Sequence, residues 1–457
     1  MGVVRIPAPI FETVQKHLFS TRGEHFAFML ARVASSEGKP VFMVREAILI
    51  PDRDVKVTRT GWELTTEAVL SVVNAAIRSG DALIEAHNHG GQTPRFSPTD
   101  VEGLRDFSAY VLGSVRGCPY GATVWGDDLV YGEFFTPDGG HGALRSVVVT
   151  GTPLRQLISR DNDRHRVDVV FDRQLPWFTP AGQRMLGRLR VGVVGAGGTG
   201  SPLVQNLVYL GVRDFVVVED DAADETNMNR LVTAAAADVG TAKGVLARRL
   251  IRSVAPTASV RHIPSKLQSQ DALDALKGVD LLVGCVDNDG ARLVLNELAL
   301  AHQVPYLDLA VGIDAEEGRL RVAGGRLCVV LPGGPCLYCM GEIDPTEACF
   351  FLSTEEERAF QVERGYVRGM NVKAPAVVSL NAALAAMAVN ELAVLVSGVR
   401  PVSYYTEFDL LGIGRPIGSQ WATPKRVAKN PDCIDCTLAG AGDSARIERY
   451  VRAEGLV

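Results

Sequence analysis

The run Arg190-Val191-Gly192-Val193-Val194 leads into Gly195-Ala196-Gly197-Gly198-Thr199-Gly200, and apolar residues at helical spacing follow to Leu210. A strand, a glycine turn and a helix in that order admit few folds. The glycines allow a tight turn and a close helix–strand approach, which is how a parallel βαβ unit begins. Phe215 to Val218 reads as the next strand and ends in Glu219-Asp220-Asp221, and Leu281 to Val286 reads as another. Uninterrupted apolar runs of this kind mark strands covered on both faces. The spacing predicts an α/β fold, with a doubly wound, Rossmann-like parallel sheet in this half of the chain.

The first 150 residues form a separate α/β pattern. Phe11 to Phe19 and Thr65 to Ile77 have helical spacing, the second with Thr65 or Thr66 near its cap. Phe26 to Leu30, Val41 to Val44 and Ala82 to Ala86 read as strands. A length of 457 residues allows about two to four domains. We divide the chain into a domain at 1–150, a linker and arginine-bearing segment at 151–180, a second domain at 181–440 and a tail at 441–457. The boundary follows the loop signals at Asp138-Gly139-Gly140 and the mixed charge from Arg160 to Arg166.

A net charge of −6 argues against a nucleic-acid partner. No apolar run reaches the roughly 18 residues of a membrane span, and the N-terminus has no apolar leader. Ala374 to Val396 reads as a long apolar helix, but Asn390 and Glu391 interrupt it, so protein rather than lipid is its expected surrounding. Four of the eight cysteines form two Cys-x-x-Cys pairs, Cys336/Cys339 and Cys433/Cys436. In an unsecreted chain that spacing suggests a structural zinc site, and a reducing cytoplasm is the expected compartment. Cys118, Cys285 and Cys328 lie on apolar segments and are expected to pack.

His87 and His89 sit two apart at a strand end, so both side chains reach the same side. Seven residues later, Ser97-Pro98-Thr99-Asp100 opens a helix, with Ser97 as N-cap and Asp100 in the first turn. Two imidazoles and one carboxylate leave a fourth tetrahedral position for water, as in catalytic rather than structural zinc sites. This segment resembles the JAMM (MPN+/JAB) metallopeptidases, whose motif is a distant Glu followed by His-x-His-x7-Ser-x2-Asp. The resemblance implies an N-terminal JAMM-type zinc hydrolase domain that removes ubiquitin or ubiquitin-like proteins from peptide or isopeptide bonds. It also implies that Glu24 is the general acid/base and that Ser97 stabilises the oxyanion. Glu46 is the competing acid, in mid-strand of a later segment.

A glycine loop alone also suits dinucleotide enzymes, and a ribose contact such as Glu219 would serve NAD as well. Beyond it, however, come Asn227, Arg230, Lys243 and, after a strand, Asp287. Arg and Lys neutralise phosphate oxygens, and a strand-end Asp is a hard ligand for Mg²⁺. Hydride transfer needs neither. From about Phe171 to Cys436 the chain resembles the ubiquitin-activating (E1-like) superfamily, which includes ThiF- and MoeB-type enzymes. The residues that carry it are Asp172-Arg173-Gln174, the glycine loop, Thr226-Asn227-Met228-Asn229-Arg230, Lys243, Asp287 and the paired cysteines. The resemblance implies ATP and Mg²⁺ bound by Gly195, Gly197, Gly198, Gly200, Glu219, Asp221, Asn227, Arg230, Lys243 and Asp287. It implies a structural zinc held by Cys336, Cys339, Cys433 and Cys436, and a homodimer in which Arg173 enters the partner's ATP site. Two positions depart from the family pattern: Glu219 replaces an Asp and Leu231 a Gln. Arg292 reads equally as a structural salt bridge. Cys349 is either a thioester acceptor or a core cysteine beside Phe350-Phe351, and Glu342, Asp344 and Glu347 would disfavour its thiolate if they stayed close.

Together these features predict a fused activator and protease for a ubiquitin-like protein. It would adenylate the partner's C-terminal glycine and cleave after the same glycine, with an E2-like protein as a further partner. Alternatives are a sulfur-carrier activator with a carrier-trimming protease, a non-catalytic platform that binds a ubiquitin-like protein, and an NAD oxidoreductase.

Overall fold

The computed structural model describes residues 1–57, 62–89, 94–127, 129–157, 167–363, 375–411 and 422–451. The mixed-charge stretch at 160–166, residue 374 at the expected helix start and the end of the tail from 452 lie outside them. The chain divides into two units.

The first unit is Met1–Arg166 with Ala301–Gln303 and Gly440–Ala445. Its elements run β1 (Gly2–Pro7), α1 (Ala8–Leu18), β2 (Phe26–Ser36), β3 (Lys39–Leu49), β4 (Val55–Val57), β5 (Trp62–Leu64), α2 (Thr66–Ser79) and β6 (Ala82–Asn88). They continue with α3 (Pro98–Ser114), β7 (Tyr120–Trp125), β8 (Val130–Phe135), β9 (His141–Thr150) and β10 (Arg155–Leu157). The main sheet has the order β1-β3-β2-β6-β7-β8-β9-β10, and a parallel pairing of β1 with β9 closes it on itself. Strand alternation gives it two cores. Ile84 and Ala86 of β6 pack with Phe11, Val14 and Leu18 of α1. Leu83 packs on the other face with Val72 and Val73 of α2 and Leu104 and Val111 of α3. Glu85 and His87 share that second face by the two-residue period.

The units divide between residues 166 and 167, and Asp138-Gly139-Gly140 lie within the first. Those residues make the turn between β8 and β9, with Gly139 at φ +84° and Thr136 N–H donating to Gly140 O at 2.8 Å. The sheet continues beyond residue 150 because β10 pairs antiparallel with β9, Arg155 opposite Val149.

The second unit starts at Val167. It contains α4 (Leu175–Arg188), β11 (Arg190–Val194), α5 (Gly200–Leu210), β12 (Asp214–Val218), α6 (Lys243–Val254), β13 (Ser259–Ile263), α7 (Gln270–Lys277) and β14 (Leu281–Gly284). Then follow α8 (Asp289–Ala301), β15 (Tyr306–Glu316), β16 (Arg319–Val330), α9 (Leu337–Met340), α10 (Pro345–Leu352), α11 (Glu355–Glu363), α12 (Val378–Ser397), β17 (Tyr405–Asp409) and β18 (Ala422–Lys425). The sheet order is β13-β12-β11-β14-β15-β16-β17-β18. The first five strands are parallel, β11, β12 and β14 as their apolar runs predict, and the last three extend the sheet antiparallel. The tail expected from 441 is folded at least to Tyr450: Ile447 is fully buried, and Glu448 pairs with Lys277.

Among the described residues α12 is the one helix long and apolar enough to cross a membrane. Most of it is buried in the protein. Its buried Glu391 is satisfied by Arg400 at 2.6 Å and by the Ser403 N–H at 2.6 Å.

Asp308 is a fully buried charge of this unit, with 0% exposure. It accepts from Tyr306 Oη at 2.7 Å and from Arg326 Nη1 at 2.6 Å, with Arg292 Nε at 3.6 Å. Removing it takes the acceptor from the buried Tyr306 hydroxyl, while Arg292 keeps Asp289 and Arg326 keeps Glu342. Asp308→Ala is expected to cost about 1–3 kcal/mol, read as a lowered denaturant midpoint for this unit.

Candidate functional site

The glycine loop turns at Gly195, where φ is +88° and a Cβ would lie 2.5 Å from Cys285 O. Gly200 opens α5 so close to the loop that its Cβ would lie 1.9 Å from Gly195 O. Only glycine fits either place. Gly197 faces open space. A cleft of about 1090 Å³ lies over the loop, lined among others by Gly195, Gly197, Gly198, Glu219, Asp221, Asn227, Arg230, Lys243 and Asp287. Every residue assigned above to nucleotide binding lines it except Gly200, which is buried beneath.

Within the cleft Glu219 accepts from Ala196 N–H at 2.6 Å and from Asp221 N–H at 3.0 Å. Burial pushes its carboxyl pKa up. It therefore braces the loop before it can contact any sugar. Lys243 Nζ, 11% exposed, pairs with Asp221 at 2.7 Å. Arg230 donates to Thr226 O at 2.5 Å and Asn229 Oδ1 at 3.1 Å. Asp287 is exposed just beyond β14, and its Oδ1 accepts from Asn288 Nδ2 at 3.2 Å. Arg292 pairs with Asp289 at 2.7 Å and donates to Val286 O at 3.0 Å, so it holds the segment that presents Asp287. Leu231 is buried with Ala223 and Leu246, so this departure from the family pattern fills a small apolar core.

The cleft also contains residues that no motif announced. Asn381 of α12 lies over the loop: a Cβ on Gly198 would meet its Nδ2 at 2.6 Å. Phe351 of α10 and Glu355 and Arg358 of α11 line the far wall. They arrive long after the loop in sequence, with no local pattern of their own.

The four paired cysteines converge. Sγ–Sγ separations are 3.7 Å for Cys336–Cys339 and 3.6 Å for Cys336–Cys433 and Cys339–Cys436. A tetrahedron with Zn–S bonds of about 2.3 Å has edges of about 3.8 Å, so the donor set fits zinc. Asn430 N–H also points at Cys339 Sγ, 3.4 Å away.

His87, His89 and Asp100 bring their ligand atoms within 4.8 Å of one another. Asp100 Oδ2 lies 3.1 Å from His89 Nε2 and 3.8 Å from His87 Nε2. It is fixed by a capping box: Ser97 N–H donates to Asp100 Oδ2 at 2.6 Å, and Asp100 N–H to Ser97 Oγ at 3.2 Å. The Ser97 hydroxyl, an acceptor here, still has its proton to donate. His87 Nε2 is buried without a hydrogen-bond partner, and a cation would satisfy it. Burial pulls the His87 pKa down, but Asp100 and Glu85 more than offset it and raise it to about 9. Burial pushes Asp100 up, while His87 and His89 hold it well below the carboxylate range. Both shifts follow from the two imidazoles and the carboxylates facing one another in a small buried space.

Glu24 is half-buried just ahead of β2. Phe26 pairs with His87, and the same register continued two residues sets Glu24 opposite His89. Asn88, which the motif treats as filler, fixes this approach. Its Oδ1 accepts from His25 N–H at 2.7 Å and its Nδ2 donates to Gly23 O at 3.1 Å, so it grips the chain on both sides of Glu24. Glu46 is exposed and pairs opposite Leu30, farther along β2.

Cys349 is exposed on α10 rather than buried in a core. Two of its acidic neighbours are engaged elsewhere: Glu342 pairs with Arg326, and Asp344 caps α10 through Thr346 N–H at 2.7 Å. Phe351 and Cys349 are about 200° apart around the helix, so the thiol faces away from the wall that Phe351 forms. Arg173 is exposed in the turn before α4, outside the cleft of its own chain. Cys285 lies half-buried beneath the loop, where burial pushes its thiol well up. Cys328 is buried, and Cys118 packs at the edge of both first-unit cores.

Among known proteins, residues 171–434 match the ThiF family. The chain is similar to the SAMP-activating enzyme E1 of Haloferax volcanii, with 31% identity over 178 residues, 39% of this chain and 61% of that protein. It is 39% identical over 172 residues to the sulfur carrier protein adenylyltransferase of Thermus thermophilus, covering 36% and 60% of the two chains. It is 36% identical over 159 residues to the probable adenylyltransferase/sulfurtransferase MoeZ of Mycobacterium tuberculosis, covering 34% and 41%. The matches thus span 61% or less of these relatives' lengths. Among solved structures, E. coli MccB with ATP aligns at a TM-score of 0.46 and 16% identity, over 59% of this chain and 75% of that one.

The donor sets generate a stoichiometry. The purified chain is expected to hold about two zinc equivalents, measured by elemental analysis. Cys339→Ser should remove one and lower the melting temperature by several degrees. His89→Ala should remove the other and leave melting within about 2 °C, because that site is not needed to close a core.

Proposed function

Since the chain belongs to the ThiF family, we propose that its second unit adenylates the C-terminal glycine of a small carrier protein. The observation that carries this reading is the convergence of Lys243, Arg230 and Asp287 on one glycine loop at a helix start. The loop amides and the N-terminus of α5 receive phosphate oxygens. Lys243 and Arg230 exchange their present protein partners for phosphate charge. Asp287 would hold Mg²⁺, which supplies charge neutralisation for the polyphosphate. The carrier's carboxylate oxygen bonds to the α-phosphorus as the bond to pyrophosphate breaks, leaving an acyl-adenylate. Glu219 and Asn381 keep the loop in shape while this happens. Arg173, exposed before α4, completes the cleft of a second copy in a homodimer.

We further propose that the first unit hydrolyses the bond after that same glycine. His87, His89 and Asp100 would hold zinc, which lowers the pKa of water to about 7. Glu24 takes the water's proton and passes it to the departing amine, and the Ser97 O–H donates to the developing oxyanion. The product is the free carboxylate that the second unit uses. Two of the relatives are named for sulfur-carrier or sulfurtransferase chemistry, which favours a sulfur carrier trimmed and then activated. A second reading rests on the exposed Cys349 and on a relative named as an E1. There the acyl group passes to the thiol, an E2-like protein follows, and the first unit releases the carrier from lysine.

Exchange of labelled pyrophosphate into ATP, dependent on a carrier ending in glycine, tests the first activity. Asp287→Ala should reduce it by about 100-fold or more and spare cleavage of a carrier with a C-terminal extension. Glu24→Gln should slow that cleavage by about 10²–10⁴-fold and spare exchange. A carrier thiocarboxylate in the mass spectrum, formed equally well by Cys349→Ala, supports the sulfur reading. A reducible adduct on Cys349 supports conjugation.

A further inference from the structure

The strand that leads into the two histidines holds another polar side chain on the face of His87. Glu85 lies two residues before His87 on β6, and its side chain is only 12% exposed. One carboxylate oxygen meets His87 Nδ1 at 3.0 Å. The other accepts the O–H of Tyr120, which is fully buried on β7, at 2.7 Å. The backbone is held too: Glu85 O accepts from Thr123 Oγ1 at 2.6 Å, and Thr123 Oγ1 accepts from the Trp125 indole N–H at 2.9 Å. None of these residues belongs to the His-x-His-x7-Ser-x2-Asp pattern.

The contact with Glu85 engages the Nδ1 side of the ring, as a carboxylate oxygen that accepts there would. That leaves Nε2 as the atom to give to a cation. Nε2 is also the buried, unpartnered atom of this ring, and it faces Asp100 Oδ2 at 3.8 Å. The ring has little freedom to turn, because Phe26 and Phe96 lie against it with centroids 5.6 Å and 6.1 Å away.

Building on the zinc-site reading above, we propose that Glu85, itself anchored by Tyr120, is the positioning residue that commits His87 to bind a divalent metal through Nε2. It touches neither the metal nor the substrate. A carboxylate behind a ligating imidazole makes the ring a stronger donor, and losing it costs about 10–100-fold in metal affinity. If Glu85 were only a satisfied buried acid, its replacement would change folding stability and leave metal affinity alone.

The test uses the full chain with the cysteine site loaded, titrated with Zn²⁺ or Co²⁺ against a chromogenic chelator to read the second equivalent. Glu85→Gln, which keeps the shape and removes the charge, should weaken that equivalent by about 10–100-fold with the melting curve retained. Tyr120→Phe should weaken it by a smaller factor. It decides the matter if Glu85→Gln does not fold. Bound Co²⁺ should show a shifted visible spectrum in both variants. An unchanged affinity for the second equivalent in a folded Glu85→Gln or Tyr120→Phe chain overturns the role of Glu85 while the zinc reading stands. A wild-type chain that takes up no second equivalent overturns the zinc reading, and this inference with it.

Discussion

The second unit depends on a contact between backbones that excludes every side chain. Gly200 stands over Gly195 O, and Gly195 over Cys285 O, at distances a Cβ would violate. This contact fixes three segments at once: the end of β11, the start of α5 and the chain leaving β14. The amides at the start of α5 and the carboxylate of Asp287 therefore share one cleft. Glu219 tightens the arrangement from the side through the Ala196 N–H. A wider approach would leave the cations on α6 and after β12 with nothing to aim at.

The first unit solves a similar problem with alternation. On β6 the odd residues Glu85 and His87 face the layer of α2 and α3, while Ile84 and Ala86 fill the core under α1. One short strand thus carries apolar packing on one side and titratable side chains on the other. A shift of register by one residue would exchange the two faces. Asn88 at its end ties the strand to the chain around Glu24, so the acid and the histidines keep one geometry although they are far apart in sequence.

Features that rest on local rules could be read from the sequence. The strand–glycine–helix succession, the Thr65 and Ser97 caps and the Cys-x-x-Cys spacing are short-range patterns, and each appears in the folded chain. The antiparallel strands β16–β18 were not legible, because β17 and β18 carry no apolar run and the apolar end of β16 does not state which neighbour it pairs with. The turn at Asp138-Gly139-Gly140 was grouped with the loop signals of the linker because glycine-rich hairpins and linkers share a composition; only the pairing of β10 distinguishes them. Asn381, Arg358 and Tyr120 enter their sites through tertiary packing, which leaves no periodic trace. Glu219 was visible as an acid at a strand end, but its grip on the Ala196 amide depends on a loop shape the sequence does not spell out. The core alternative for Cys349 failed for the same reason: two phenylalanines beside it suggested burial, and the helix turns the thiol outward.

Asp100 serves two masters. The oxygen that faces the histidines is also the one that receives the Ser97 amide at the start of α3. If the proposed hydrolysis holds, helix nucleation and ion capture fall under one selection. A relative without that activity would be free to lose His87 and His89, yet it would keep the acid because the helix still needs its first turn. In a set of diverged relatives, then, the histidine pair rather than the aspartate would report on the proposed chemistry.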